Sequence, residues 1–312
     1  MTKSIHIMKT VALVCVAGLV LRRVFQKERI FPGQVAIITG GSSGLGLSLA
    51  HLFGKAGLKL VLAARSKDDL EDARRQLLDA GSVINEGDVL LVACDISDKH
   101  QASDLITAAL DTFGKLDILI NNAGVIEVGP VENQTVEVYE SAMATDFFGA
   151  VYTTYAALPY LLSRRTGAIV NISSIGGKLA VPHLLPYVSA KFALTGFSEG
   201  LHAELRHKGI RVTTVCPGLM RTGGEVHAHF TGKLDKEKFW FQTSARTPLI
   251  SAHVHHAASR IFKAVDAGRA EITITPQAWL AARFAGCAPE TTQVISALVN
   301  SYILPDPAPL EA

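Results

Sequence analysis

The chain has 312 residues, of which 48% are hydrophobic and 19% are charged. This length suits one large domain with appendages, and this composition excludes an intrinsically disordered protein. Thirty basic against twenty-eight acidic side chains leave a formal charge of +2 without a long basic run, which argues against a nucleic-acid partner.

The N-terminus carries an apolar run at residues 11–21, followed by a basic cluster at residues 22–29. The run is shorter than the ~20 residues of a membrane span. Three interpretations are open: a membrane anchor over residues 5–25, a cleaved signal peptide, or an apolar helix packed on protein. The basic cluster favours the anchor, with the rest of the chain on the cytoplasmic side. We therefore expect a separate segment at residues 1–30 and a location at the cytoplasmic face of a membrane or in the cytoplasm.

From residue 35 onward, short β-rich runs alternate with longer helical patterns. This pattern predicts an α/β fold, a Rossmann-like doubly wound parallel sheet with helices on both faces. Seven strands are predicted, at residues 35–39, 59–64, 89–94, 116–121, 168–173, 211–216 and 271–275. They define one catalytic domain over residues 31–275. Two amphipathic helices and a Pro-rich tail, which we expect to be disordered, follow over residues 276–312.

The first strand runs directly into TGGSSGLG at residues 39–46. Glycines let the backbone turn tightly and approach a pyrophosphate, whose charge is met by the N-terminus of the next helix. The G-x-x-x-G-x-G spacing differs from the G-x-G-x-x-G of many dinucleotide folds. The cofactor contacts predicted in this loop are Gly40, Ser42, Ser43, Gly44, Leu45 and Gly46.

The end of the second strand indicates which nicotinamide cofactor is bound. An acidic residue there would hydrogen-bond a free ribose 2′-hydroxyl, whereas a basic residue accommodates a 2′-phosphate. The chain has Ala64 at this point and Arg65 immediately after it. This predicts NADP(H), unless Arg65 is only a solvated surface charge.

Four cysteines lie far apart, without the close spacing of a zinc or redox site: Cys15, Cys94, Cys216 and Cys287. We interpret them as small buried hydrophobes in a reducing compartment. The histidine clusters at residues 227–229 and 253–256 have no carboxylate or cysteine neighbours, so no metal site is predicted.

Tyr187 and Lys191 are four residues apart and share one face if a helix begins here. Tyrosine titrates near ~10, and ionising it near neutrality takes roughly 3 pKa units, or about 4 kcal/mol, which a neighbouring ammonium helps to supply. Tyr187 is then a candidate general acid/base. Taken alone, such a pair is commonplace on helices.

Six motifs stand in the order and at the spacing of the short-chain dehydrogenase/reductase superfamily, which the chain resembles over residues 33–275. They are TGGSSGLG, CDIS at 94–97, NNAG at 121–124, Ser174, YVSAK at 187–191 and PGLMRT at 217–222. The cofactor contacts that this resemblance adds are Asp95, Ile96, Asn122, Tyr187, Lys191, Pro217, Gly218 and Thr222.

The resemblance also implies roles. Tyr187 would exchange a proton with the substrate oxygen, Ser174 would bind the same oxygen, and Lys191 would hold the cofactor ribose and lower the pKa of the phenol. Family members commonly form dimers or tetramers, so a homo-oligomer is expected. The chain looks most like membrane-associated members that act on steroids or long-chain ketones, such as 11β-hydroxysteroid and 3-ketosphinganine reductases.

These features predict an oxidoreductase that interconverts an alcohol with an apolar ketone or aldehyde. Apolar residues between Ser174 and Tyr187 are candidates for the substrate pocket. Phe239, Trp240 and Phe241 line that pocket, face the membrane or are core packing for a lid helix. The alternative is a catalytically silent NADP(H)-binding sensor or scaffold, a class that usually lacks the Tyr or the Lys.

Asp146, within AMATDFFGA, stands where the family pattern has an Asn. That Asn kinks its helix and holds a water through its main-chain carbonyl, and a main-chain carbonyl survives the change. An ionised Asp146 would favour the Lys191 ammonium but partly cancel its field at Tyr187. If desolvation keeps the acid protonated, it is instead a neutral near-isostere of Asn. Asp146 is therefore the fourth candidate catalytic residue, and its charge state is open.

Overall fold

The fold is described from a computed structural model, over residues 29–221, 228–247 and 251–309. The candidate anchor at residues 5–25 and the predicted cofactor contact Thr222 lie outside these ranges. Among the helices inside them, none is both long and apolar enough to cross a bilayer.

Eleven strands occur in the described residues. They are β1 (Val35–Thr39), β2 (Lys59–Ala64), β3 (Val89–Ala93), β4 (Ile118–Asn121), β5 (Glu127–Val128), β6 (Gly167–Ile172), β7 (Ile210–Cys216), β8 (Leu219–Arg221), β9 (His229–Phe230), β10 (Ser251–His253) and β11 (Glu271–Thr273). Seven of them form one sheet in the order β11-β7-β6-β4-β1-β2-β3, and every pairing in it is parallel. The prediction of a seven-stranded parallel sheet is confirmed.

Strand ends differ from the predicted ones by up to two residues. The fourth strand begins at Ile118 rather than at residue 116. There the Asp117 carboxylate accepts the Val35 backbone N–H at 2.9 Å, so a side chain satisfies a donor at the start of β1. The two-stranded pairs β5-β9 and β8-β10 were not predicted.

Ten α-helices occur in the described residues. They are α1 (Gly44–Lys55), α2 (Lys67–Asp79), α3 (Lys99–Phe113), α4 (Val136–Met143), α5 (Gly149–Arg164), α6 (Leu185–Leu205), α7 (Leu234–Arg246), α8 (Val254–Asp266), α9 (Pro276–Cys287) and α10 (Pro289–Tyr302). One hydrophobic core places α1, α2 and α8 on the sheet. A second places α3, α5 and the end of α6 on its other face. The fold is therefore doubly wound, as predicted.

The prediction of a disordered tail is wrong for Pro305–Pro309. Asn133 and Ala308 hydrogen-bond each other reciprocally, because the Asn133 amide accepts the Ala308 N–H at 2.9 Å and donates to its carbonyl at 3.3 Å. The Asn133 side chain thus hydrogen-bonds both the N–H and the carbonyl of one tail residue, as the backbone of a neighbouring strand does. Cys94 and Cys216 are buried as predicted, but Cys287 is exposed at the end of α9.

Candidate active site

A buried polar network anchors α6 on the sheet. The Asn121 amide, at the end of β4, donates to Asn171 Oδ1 on β6 at 2.9 Å, and Asn171 donates to Ser198 Oγ on α6 at 3.0 Å. Thr214 on β7 donates to the same Ser198 hydroxyl at 2.7 Å. Such a fully bonded buried network holds one arrangement of its helix, and so fixes where the first turns of α6 lie.

Tyr187 and Lys191 lie on these first turns. Pro186, near the start of α6, favours helix initiation, because its missing N–H has no intrahelical partner there. The Lys191 ammonium lies 5.5 Å from the Tyr187 ring centroid. Ser174, just beyond β6, lies near enough to Tyr187 to lower the pKa of its phenol, and the Ser174 hydroxyl oxygen accepts the Gly176 N–H at 3.0 Å. The structure therefore brings the predicted Ser174, Tyr187 and Lys191 together.

Asp146 completes this group from another element. Residues Ala144–Phe148 form a π-helical turn between α4 and α5, which is the irregularity expected at this point. The turn directs the Asp146 side chain inward, where Oδ1 lies 3.4 Å from the Lys191 ammonium and accepts the Val125 N–H at 3.0 Å. Lys191 also donates to the Ile172 carbonyl at 3.2 Å. Asp146 and Lys191 are only 1% and 4% exposed, so they form a buried ion pair.

Gly124 is the reason that this pair fits against β4. A Cβ at position 124 would collide with Asp146 Oδ1 and lie 3.3 Å from the Lys191 ammonium. The glycine of NNAG therefore admits the Asp146 carboxylate, a role that its position in the motif does not reveal.

Burial and neighbouring charges set the pKa values of this cluster. Burial raises the pKa of Tyr187; the Lys191 ammonium and the Ser174 hydroxyl lower it, and the Asp146 carboxylate raises it again. Burial also raises the pKa of Asp146, which Lys191 and the Val125 N–H partly offset. Burial lowers the pKa of Lys191, but Asp146 and Tyr187 raise it to a net value above its usual range. The cation at Lys191 is therefore firmly held, and Asp146 opposes its effect on the phenol.

A cleft of about 480 Å³ opens at the carboxyl ends of β1 and β2, beside this cluster. Six predicted cofactor residues line it, namely Gly40, Ser42, Ser43, Arg65, Asp95 and Ile96. Ser43 precedes α1, and its side chain makes no capping hydrogen bond to that helix. The helix N-terminus and the serine hydroxyl thus leave donors for an anion.

The other predicted cofactor residues lie around this cleft. Leu45 and Gly46 are buried in the first turn of α1, and a Cβ at position 46 would collide with the Gly40 carbonyl. Asn122 donates to the Thr39 carbonyl at 2.9 Å, so it braces the glycine loop. Gly44 has φ +53°, a conformation that other residues rarely adopt. The loop is thus a cradle that a dinucleotide pyrophosphate fits.

Pro217 and Gly218 approach the cluster from the end of β7. The Pro217 carbonyl accepts the Ile175 N–H at 2.7 Å, next to Ser174. A Cβ at Gly218 would press on Thr275 and Ala278, where α9 begins. This segment thus connects the Ser174 loop with the C-terminal helices.

Two groups of residues near the site were missed from the sequence. Asn171 and Ser198 support α6 from inside the fold together with Asn121, whose NNAG motif did not indicate this contact. The polar Asn171 within an otherwise apolar strand was the available signal. His229 on β9 also lines the cofactor cleft. Its histidine cluster at residues 227–229 was considered only as a metal site.

Comparisons with known proteins agree with this geometry. The sequence profile of a family described as short chain dehydrogenase matches residues 34–229. A dehydrogenase/reductase SDR family protein 7-like of Anopheles gambiae is 35% identical over 268 residues, which cover 84% of this chain and 83% of that protein.

Two solved structures are similar over most of the chain. A short chain dehydrogenase/reductase from Burkholderia phymatum in complex with NAD has a TM-score of 0.76 at 26% identity, covering 90% of this chain and all of that one. A variant of actinorhodin polyketide ketoreductase with NADPH has a TM-score of 0.67 at 28% identity, covering 78% and 95%. The two neighbours hold different nicotinamide cofactors.

Proposed function

Because the chain belongs to the short-chain dehydrogenase/reductase family, whose profile matches residues 34–229, we propose that it is an NADP(H)-dependent oxidoreductase that reduces apolar ketones or aldehydes. The observation that carries the proposal is the convergence of Ser174, Tyr187 and Lys191 beside the cofactor cleft. All three side chains are retained, which argues against a silent sensor or scaffold.

The nicotinamide cofactor, when bound, supplies or accepts the hydride. This chain's own residues then handle the proton and the geometry. Tyr187 donates its phenolic proton to the substrate oxygen during reduction and takes it back during oxidation. Ser174 holds the same oxygen by a hydrogen bond, and the Lys191 ammonium keeps one N–H for the cofactor ribose after serving Asp146 and Ile172.

Arg65 supports the choice of NADP(H). It follows β2, lines the cofactor cleft and is exposed, and no ion pair occupies it within the described part of the chain. A guanidinium is suited to a phosphate because it donates in a planar fork. Asp69 and Asp72 line the same cleft, and Arg65 is the one Arg or Lys among the described residues that line it. Arg65 would therefore be the side chain that holds the 2′-phosphate.

Replacing Arg65 by Ala is expected to weaken NADPH binding by about ten- to a hundredfold, the range of one charge-assisted hydrogen bond, and to leave NADH binding nearly unchanged. Titrating both cofactors side by side tests this, with Lys67→Ala as the control because Lys67 is a neighbouring exposed cation. Equal losses of affinity for NADPH and NADH would show that Arg65 is only a solvated surface charge and would contradict specificity for NADP(H).

The substrate class rests on a buried apolar cluster against which Tyr187 packs, called the apolar wall below. Leu184, Val188 and Phe241 are buried there around Val128, and Trp240 packs against them. Apolar surroundings at Tyr187 favour a carbonyl compound with an apolar body. Turnover of acetophenone with NADPH, but not of the hydrophilic ketone dihydroxyacetone, is expected in a continuous absorbance assay. Activity confined to dihydroxyacetone would refute the proposal.

Replacing Asp146 by Asn is expected to move the pH profile of alcohol oxidation to lower pH. The Asp146 carboxylate raises the pKa of Tyr187, so its removal lowers that pKa. The phenolate, which accepts the alcohol proton, is then populated at lower pH. Profiles of kcat with NADP and an aryl alcohol, recorded for both proteins, measure the shift. Superimposable profiles would mean that Asp146 is uncharged in the working enzyme.

The location is proposed as the cytoplasmic face of a membrane or the cytoplasm, with a homo-oligomer as the working form. The apolar run at residues 11–21 and the basic cluster after it support the membrane alternative. Deleting residues 1–25 is expected to move the protein from the membrane fraction to the soluble fraction. An unchanged distribution between fractions would contradict the anchor.

A further inference from the structure

A buried carboxylate outside the catalytic group connects two segments next to Tyr187. Glu237 on α7 is fully buried, and its two oxygens lie 2.9 Å and 3.0 Å from His183 Nδ1. The Trp240 indole N–H donates to Glu237 Oε2 at 2.6 Å. His183 belongs to the loop before α6, four residues ahead of Tyr187. A buried carboxylate is costly without donors, so these contacts tie α7 to that loop.

The backbone at His183 shows that this loop is held in place. His183 has φ +63°, in the left-handed region that non-glycine residues seldom occupy. Its carbonyl accepts the Gly129 N–H at 2.8 Å, and its ring stands edge-on to Trp240 with centroids 6.2 Å apart. Such a conformation persists where the surroundings over-determine it. The contacts with Glu237, Gly129 and Trp240 supply that constraint.

The contact of Glu237 with His183 also holds α7 against the apolar wall beside Tyr187. Phe241 follows Glu237 by one turn of α7 and packs with Leu184 and Val188. Leu184 immediately precedes α6, and Val188 immediately follows Tyr187 in its first turn. Trp240 and Phe230 both meet Phe241 edge-on at 5.8 Å. Moving α7 away from the loop would therefore open the wall while leaving Tyr187 and Lys191 on α6.

We propose that His183, Glu237 and Trp240 form a latch that positions this wall, so that His183 and Glu237 are positioning residues that set affinity for the apolar part of the substrate. The latch rests on the proposed function for its effect on catalysis. None of its three residues lines the cofactor cleft. Binding of substrate is then controlled separately from the chemical step.

Two variants test the latch. Glu237→Gln keeps the shape but offers one acceptor oxygen to two N–H donors. His183→Asn removes the imidazole, and Asn tolerates the left-handed backbone. Lys236→Ala is the matched control, because Lys236 lies on the same helix and its side chain is exposed. The chain has two tryptophans, so a Trp279→Phe background leaves Trp240 as the only indole reporter.

Both latch variants are expected to raise KM for acetophenone by about tenfold or more while kcat changes less than about threefold, the pattern of lost ground-state binding. NADPH affinity should be unchanged, and the Trp240 emission should shift to longer wavelength. The Lys236→Ala control should match the parent protein in KM, NADPH affinity and Trp240 emission. If NADPH affinity and thermal stability fall as KM rises, the variants are generally unfolded and the latch is overturned. Latch variants that behave like the control would also overturn it.

One further readout separates the latch from the proposed function. If the parent protein reduces no carbonyl compound, the proposed function fails, and amide hydrogen exchange across Leu234–Arg246 decides the latch alone. Faster exchange there in both latch variants, with unchanged exchange in β1 and β4, is the expected result. Unchanged exchange in α7 would overturn it.

Discussion

The Tyr187→Phe variant will lose about 10²- to 10⁴-fold in kcat for acetophenone reduction, the range that a positioned general acid contributes. Ser174 and Lys191 both lie beside the Tyr187 phenol, which is the proposed proton donor. Phe keeps the aromatic ring and removes the hydroxyl that carries the proton. NADPH affinity should fall far less than kcat, because Tyr187 is only one of the predicted cofactor contacts and the glycine loop and Arg65 are untouched. Single-turnover NADPH oxidation and a separate NADPH titration measure the two quantities.

Tyr155→Phe is the matched control for this loss. Tyr155 lies on α5 and is 62% exposed, so removing its hydroxyl should leave kcat and NADPH affinity unchanged. A Tyr187→Phe protein that retains most of its kcat would show that another group, or solvent, delivers the proton.

The Lys191→Met variant should lower the free energy of unfolding by about 3–5 kcal/mol, the cost of leaving one member of a buried ion pair alone. Asp146 is then a buried carboxylate with a single N–H donor, from Val125. Catalysis should fall as well, because the ammonium no longer lowers the pKa of the Tyr187 phenol. Urea unfolding followed by circular dichroism, beside the acetophenone assay, tests both effects.

The double variant Lys191→Met with Asp146→Asn separates these two effects. It removes both charges, so most of the lost stability should return while catalysis stays low. Recovery of catalysis together with stability would mean that Lys191 acts only through folding. A double variant as unstable as Lys191→Met would instead contradict the buried ion pair.

The sheet followed from the sequence because its strands are continuous apolar runs bounded by turns, and β1 and β2 were predicted to the residue. The short strands β5, β8, β9 and β10 were not, since pairings of two or three residues depend on tertiary contacts rather than on local pattern. The prediction of a disordered tail was wrong for the same reason, because the order of the tail depends on a contact of Ala308 with Asn133, which is 175 residues away.

The candidate site was predictable where chemistry is encoded in spacing. Ser174, Tyr187 and Lys191 lie together as their motif spacing implied, and six cofactor residues line one cleft. The ion pair of Asp146 with Lys191 depends on a π-helical turn, whose hydrogen bonding leaves no periodic signal, so only the family resemblance indicated that the two residues are close. His183 and Glu237 are 54 residues apart, and neither stands in a motif, so only the fold reveals their contact.

Transfer of deuterium from NADPH dideuterated at the nicotinamide C4 to acetophenone tests the central claim most directly, because it follows the hydride into the product. We expect an alcohol one mass unit heavier with the parent protein, formed at least about a hundredfold more slowly by Tyr187→Phe. An unlabelled alcohol, or no alcohol from acetophenone and related apolar ketones while NADPH binds, would contradict an NADP(H)-dependent carbonyl reductase.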